Sequence, residues 1–361
     1  MPDVSFAGIG ILGIAAAVPA RRIDNLATPT GAEPLPAADV RAIVEHAGVL
    51  SRREAPPGMC GSDLCQAAAE QLLEATATAR AGIDGLVFVS QTPDYRMPAT
   101  AVLLQDRLGL RTDTLAFDVG LGCSGYVYGL YLAMSLVAGG GLESVLLLNG
   151  ETRSRAYSPR DRATGLLFGD AGAATLVARQ PAAGTSHFSL NSDGSRGRLI
   201  GMEAGGARLP SSLDTLRERP RPDGGFRSDE QGFMDGPGVF TFMISDVFAD
   251  IIDLLARSAT AVADLDHAIL HQANRFALEH LRTKLGLPAE KVPFTIDEFG
   301  NTSGPSIPLT IVARLADRLP TTTSRVLLAG FGVGLSWASA VVTLARPHIC
   351  PLIELGDPAH D

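Results

Sequence analysis

The chain has 361 residues, 46% of them hydrophobic and 19% charged, with a formal net charge of −9. Such a balance describes a core-rich globular protein, one large domain or two ordinary halves, and excludes a disordered chain. The acidic charge without a long basic run argues against general nucleic-acid binding, and four scattered cysteines (Cys60, Cys65, Cys123, Cys350) are too few for a disulfide scaffold. No histidine lies near Cys60 and Cys65, so no metal site is expected.

The N-terminal stretch MPDVSFAGIGILGIAAAVPARR lacks a basic segment ahead of its apolar part, and Ile9–Val18 is too short to span a bilayer. It reads as a buried strand of a cytoplasmic protein, with no membrane partner. After strand Val4–Ala16, a polar, proline-bearing stretch runs from Pro19 to Pro57. Helical periodicity over Ser62–Ala79 has Ser62 or Asp63 as its cap. Gly85–Gln91 is a buried strand, Ala99–Leu108 a helix and Leu115–Val119 the next strand. Then comes GLGCSGYVYGL, a glycine-rich turn carrying Cys123 into an apolar helix, Tyr126–Val137. A cysteine at such a junction is either a small core residue or a thiol whose anion is favoured by unpaired N–H groups and the helix dipole. Strands Ser144–Asn149 and Gly172–Ala178 follow.

The second part repeats that order. His187–Ser192 is a strand, Phe240–Ala259 a helix, Ala268–His271 a strand and Arg275–Leu285 a helix closed by Gly286. Val292–Ile296 is a strand, Ile307–Leu319 a helix, and Arg325–Ala329 with Ser336–Leu344 a final strand pair. Two β-α-β-α-β-α-β-β halves, 1–180 and 181–361, suggest a duplicated α/β fold whose mixed sheets pack through shared helices. The irregular stretch 194–238 is rich in Gly, Pro and Arg. It is either a solvated loop or a cover over a substrate tunnel with arginines facing an anionic carrier or nucleotide. In the repeat, Cys123 follows the third strand of one half and Asn301 that of the other, while His271 ends a second strand. Pseudo-twofold packing would gather these side chains where loops meet at strand ends.

Each piece alone has an ordinary structural reading: a core histidine, an asparagine turn. Together GCSGYVYGL, LHQAN, EFGNTSGPSIPL and GFGVGLSW, in that order, resemble β-ketoacyl-acyl-carrier-protein synthase III of the thiolase superfamily, from about residue 4 to 345. The resemblance implies a thiolase-like fold, a layered α-β-α-β-α sandwich, and a Cys-His-Asn condensing enzyme built on Cys123, His271 and Asn301. It also implies an oxyanion hole from the N–H groups of Cys123 and Val333, and no metal or other cofactor. Its substrates would be acyl thioesters of coenzyme A or acyl carrier protein and a malonyl thioester; its partner would be the carrier protein, and its assembly a homodimer. Arg162 in DRATG is similar to the family arginine that meets the coenzyme A nucleotide, Asn274 to a pantetheine contact, and Phe331 to the phenylalanine beside the nucleophile. For Arg162 an ion pair with Asp161 or Asp170 is the competing expectation.

Two positions depart from the family pattern. The only tryptophan, Trp337, belongs to the last strand, so the adenine-stacking tryptophan expected within residues 30–55 is missing. Val333 stands where glycine is usual, which predicts a narrower neighbouring pocket. In the family the loop equivalent to Gln91–Pro98 closes the partner's acyl pocket, which makes Tyr95, Arg96 and Met97 candidate lining residues. Arg96 is either an exposed loop arginine or the partner of a carboxylate on a dicarboxylic acyl group. The same fold also accommodates an acyltransferase that passes the acyl group to a hydroxyl or amine, with His271 as general base. A biosynthetic thiolase would need a second cysteine in Cys-x-Gly, where this chain has GFGVG; a non-catalytic subunit would lack the nucleophile.

Overall fold

A computed structural model describes residues 4–27, 36–139 and 141–356. Part of the Pro19–Pro57 stretch, 28–35, lies outside the described residues, as do 1–3, 140 and 357–361. The first sheet runs in the order β17 (His348–Ile349), β2 (Ile9–Pro19), β8 (Asp170–Arg179), β7 (Ser144–Thr152), β5 (Gly85–Val89), β6 (Leu115–Val119), with β18 (Ile353–Leu355) also on β2. The second runs β1 (Val4–Ala7), β9 (Thr185–Ser192), β16 (Ser336–Ala345), β15 (Thr323–Gly332), β14 (His267–Leu270). The duplication is visible in the hydrogen bonding. β2–β8–β7 and β9–β16–β15 are antiparallel triples, and each then continues through a parallel neighbour, β5 or β14.

Alternation of side chains along these strands builds the layers. On the first sheet Leu86, Phe88, Leu146 and Leu148 pack outward with α2 (Gly61–Ala75) and α3 (Thr100–Arg107). The intervening residues Val87, Val89, Val145 and Leu147 face inward. There they share a core with α4 (Gly125–Gly139), α9 (Ser306–Leu315) and the Val326/Leu328 face of β15. The other face of β15, Leu327 and Ala329, packs under α6 (Phe248–Arg257) and α7 (Arg275–Lys284). The result is the α-β-α-β-α sandwich, a thiolase-type fold. α4 and α9, each apolar and largely buried, form the middle layer.

Several elements differ from the sequence reading. Val4–Ala16 is two strands, because Gly8 at φ 66° turns the chain between them, and β1 joins the second sheet while β2 joins the first. Helix α2 is capped two or three residues earlier than expected, at Cys60, whose N–H donates to the Asp63 carboxylate at 2.6 Å. It stops at Ala75, and Ala77 beyond it has φ 50°. The helix expected over Phe240–Ala259 starts at α5 (Gly236–Phe242), capped by Asp235, and passes through a wide turn at Met243–Val247 into α6.

Val292–Ile296 is not a strand. Pro293 has no N–H to give a ladder, and the Thr295 N–H is taken by the Gln272 side chain at 2.9 Å, so the segment leads into α8 (Ile296–Phe299) and β14 stays at the edge. Between its opening turn and the start of α5, the 194–238 stretch pairs β10 (Ile200–Gly201) with β13 (Phe233–Met234) and β11 (Arg219–Pro220) with β12 (Phe226–Arg227). A further pair, β3 (Arg22–Asp24) with β4 (Ser51–Arg53), flanks α1 (Ala37–Ala47). Among the described residues no helix is long and apolar enough to cross a membrane.

Helix α2 lies directly on β8 at Gly172, where an added Cβ would stand 2.6 Å from the main-chain nitrogen of Cys65 and from the Leu64 Cβ. Backbone cannot yield as a side-chain tip can. Gly172→Val is therefore expected to destabilise by about 2–3 kcal/mol, read as a lower denaturant midpoint. An unchanged midpoint would mean that α2 is not fixed there.

Candidate active site

Cys123 sits in the turn between β6 and α4, and Asn301 in the segment between α8 and α9, so the two central helices present their N-terminal approaches to the same point. His271 follows β14, its N–H donating to the Ala329 carbonyl at 2.8 Å, and Phe331 comes from the end of β15. All four line one cavity, together with Gly332 and Phe168. The strand end at Gly332 must pass against the thiol: a Cβ there would lie 2.9 Å from Cys123 Sγ. Only glycine permits this contact.

Polar contacts orient each group. His271 Nδ1 is 2.8 Å from the Ser306 hydroxyl at the start of α9, which directs the other ring nitrogen away from α9, and the imidazole meets the Phe331 ring edge-on at 5.5 Å between centroids. Asn301 Oδ1 accepts from the Ser303 N–H at 2.9 Å, its amide donates to the Ala273 carbonyl at 3.4 Å, and its main chain bridges to Phe168. Ser303, held at φ 60°, brings its hydroxyl 3.6 Å from Cys123 Sγ. Cys123 is buried, which alone would push its thiol up. The charge and hydrogen bond of His271 outweigh this, with help from the Arg153 guanidinium and Ser303, and pull the thiol down to about 7.

From this chamber a passage leads outward past Leu167, Met234, Phe240 and Asn274 to a mouth at His46, Arg162 and Phe276. Ile200, Met234 and Gly236 of the 194–238 stretch form part of its wall. Its arginines are mostly engaged within the protein: Arg196 with Asp193 and Asp246, Arg219 and Arg221 with Asp229, Arg227 with Asp161 and Asp223.

The remaining expected residues distribute unevenly. Asn274 borders the passage while capping α7, its side chain accepting from the Ala277 N–H at 2.7 Å. Arg162 pairs with neither Asp161 nor Asp170 but with Asp39, at 3.1 Å. Near it His46 stacks on Phe276 at 5.0 Å, placing aromatic surface at the mouth. Val333 packs among the outer core residues and is not in the cavity wall, so it does not narrow that chamber. Tyr95, Arg96 and Met97 are away from the cavity of their own chain; Tyr95 and Met97 are exposed, and Arg96 donates to the Gly205 carbonyl at 2.8 Å. The sequence reading missed Ser303, Ser306 and Arg153. The first two stood in NTSGPSIP and looked like turn residues; nothing local marked Arg153.

The family described as 3-oxoacyl-[acyl-carrier-protein] synthase III matches residues 117–194, and its C-terminal counterpart matches 255–344. The β-ketoacyl-[acyl-carrier-protein] synthase III of Rhodopirellula baltica is 36% identical over 92% of this chain and 98% of its own length. That of Caldanaerobacter subterraneus subsp. tengcongensis is 33% identical over 84% and 89%. The chain belongs to this family. The crystal structure of a 3-oxoacyl-(acyl-carrier protein) synthase from Burkholderia xenovorans superposes with a TM-score of 0.90 at 39% identity, covering 98% of this chain and 99% of that one. The protein is therefore a ketoacyl-synthase-type acyltransferase of the thiolase superfamily.

Two outcomes follow from the chamber's geometry. Alkylation of Cys123 by iodoacetamide should rise with pH to a half-maximum near 7, because the thiolate is the reacting form and is lost as pH falls through that value. His271→Ala should move the half-maximum upward; an unchanged profile would remove His271 from the thiol's environment. Gly332→Ala should slow the alkylation at pH 8 by about tenfold or more, since a methyl group would stand against Sγ, whereas an unaffected rate would show that the strand end is free to retreat.

Proposed function

We propose that the protein condenses an acyl thioester with a malonyl thioester through Cys123, His271 and Asn301. The observation that carries the reading is the meeting of these three side chains, from both halves, in one buried chamber at the inner end of a passage. The Cys123 thiolate attacks the thioester carbonyl; a new C–S bond forms, the bond to the carrier breaks, and the carrier thiolate leaves. The N–H groups of Cys123 and Val333 hold the oxyanion; neither donates to a main-chain carbonyl among the described residues. Malonyl thioester then enters. His271 and Asn301 donate to its thioester carbonyl, the carboxylate is lost as carbon dioxide, and the electron pair of the broken C–C bond forms an enolate. The enolate carbon attacks the acyl-Cys123 carbonyl and releases the thiolate with a β-ketoacyl thioester as product.

This assignment takes the Ser306 hydroxyl, 2.8 Å from Nδ1, as the donor to that nitrogen, which places the imidazole proton on Nε2, where it can donate. The passage fits the slender arm shared by coenzyme A and acyl carrier protein, with Asn274 and Phe331 along it and Arg162 and the His46–Phe276 pair at its mouth. The carrier-protein partner and its thioester are taken from the names of those relatives, and the proposed steps use no cofactor. A homodimer accords with β6, an unpaired edge strand whose residues are only partly covered, and it would bring Tyr95, Arg96 and Met97 to a second copy. Halves 1–180 and 181–361 are taken as the duplicated units, and the cytoplasm as the place of action.

Intact-protein mass spectrometry tests the scheme. Wild-type enzyme given acyl thioesters should gain one acyl group, which Cys123→Ala should not, and added malonyl carrier protein should discharge it as β-ketoacyl product. His271→Ala and Asn301→Ala should still acylate but condense about 10²–10³-fold more slowly. Acylation that malonyl carrier protein leaves untouched would reject condensation.

A further inference from the structure

The inner face of β7 begins as ordinary core, with Val145 and Leu147 packed between the sheets. By strand alternation that face continues through Asn149 and Glu151 and passes, at the end of the strand, to Arg153. These three polar side chains are 1%, 0% and 3% exposed. Thr302 and Ser303, both fully buried, and Gln91 complete the cluster. An ionised cluster in a central layer that is otherwise Val, Leu, Ile and Ala is costly unless it has a use.

Its position is beside the nucleophile. Gln91 Oε1 and Ser303 Oγ flank Gly122, standing 2.4 and 3.1 Å from where a Cβ on that residue would lie, and the Asn149 amide nitrogen stands 3.4 Å from where a Cβ on Gly304 would lie. Arg153 reaches Gln91 Oε1 at 3.4 Å and the Tyr157 hydroxyl at 2.9 Å, and it lies over the ring of Phe168, a residue of the Cys123 chamber, at 5.6 Å. No carboxylate is ion-paired with Arg153 among the described residues. Glu151 accepts instead from the Gln91 N–H and the Thr92 hydroxyl, and burial pushes its carboxyl upward, partly opposed by Arg153. Arg153 Nε, Asn149 Nδ2 and Thr302 Oγ1 are buried without hydrogen-bond partners. Near the thiol, then, one nitrogen of a buried guanidinium and two further polar atoms have no hydrogen-bond partner.

With the carrier's arm taken to enter by the passage, as proposed above, an acyl group on the sulfur would extend away from it, toward Gln91 and Arg153. We propose that Arg153 is a specificity-determining residue that selects short acyl thioesters bearing a second carboxylate, the half-thioesters of dicarboxylic acids, over unbranched aliphatic ones. This rests on the condensing reading above and names its acyl donor class. It also relocates the carboxylate-binding role entertained for Arg96 to a buried arginine. In the loading step the Cys123–acyl bond forms and the carrier C–S bond breaks, the carrier thiolate taking a proton from solvent; the distal carboxylate is unchanged and replaces water with the Arg153 guanidinium.

The test compares succinyl- and butyryl-coenzyme A, equal in chain length and different in charge, by the rate of the Cys123 adduct in mass spectra. Wild type should load succinyl at least tenfold faster. Arg153→Leu should reverse the order, and Arg153→Lys should keep part of the preference. A wild type that loads butyryl as fast or faster overturns the proposal, even if neither variant folds. So does an Arg153→Leu enzyme that slows both donors equally while its iodoacetamide pH profile moves upward, since Arg153 would then act only through the thiolate. No adduct from any thioester overturns the condensing reading with it.

Discussion

The site depends on a main-chain contact between the two halves: the end of β15 lies against the Cys123 turn. Gly330 would meet the Cys123 carbonyl oxygen at 2.7 Å with any Cβ, and Gly332 would meet the thiol carbon at 2.8 Å. Such closeness is possible because both strands end over the same middle layer, where α4 and α9 are clamped between two sheets. The clamp is apolar and large, so the helix starts carrying Cys123 and the Asn301–Ser306 segment are held without needing polar bonds across the core. What hydrogen bonds then do is finer: they turn the side chains. Ser306 sets the imidazole, and Ser303 links the asparagine to the thiol.

Electrostatics works against burial throughout this layer. Desolvation disfavours the thiolate, the Glu151 carboxylate and the Arg153 cation alike. Yet Cys123 falls to about 7, because imidazole and guanidinium act on it at close range in a medium that screens poorly. Tyr157, Glu151 and Cys123 in turn raise Arg153 above its ordinary value against the effect of burial. The charges are arranged around one sulfur. That distinguishes them from the buried carboxylate of Asp170, which is pushed up to about 6 despite accepting from Ala55 and Ser154 and serves to hold chain segments together.

Much of this was legible in the chain. The strand–turn–helix around Cys123, His271 at a strand end and Asn301 ahead of a helix are local patterns, and their repetition in two halves implied that they meet. Local reading failed where a competing partner decided the outcome. Val292–Ile296 has strand-like residues, but Pro293 and the Gln272–Thr295 bond deny it a ladder. Arg162 stands beside Asp161, yet Asp161 is taken by Arg227 from the 194–238 stretch, and Arg162 turns to Asp39. Pro293 was a local sign against the strand, but the partners that settle the two cases, Gln272 and Asp39, lie far along the chain from Thr295 and Arg162.

By itself, the sequence determined the fold class and, Val292–Ile296 apart, most of the order of elements. Those depend on periodicity and on residue types at strand and helix ends, which are short-range properties. The tertiary structure alone decided which strands exchange between the sheets and which polar groups share the chamber. Arg153 shows the difference: in the chain it is one of several arginines after a strand, and only the packing of β7 against the Cys123 turn makes it a buried cation beside a thiol. Burial and proximity arise from contacts between segments far apart in sequence, and no local pattern encodes them.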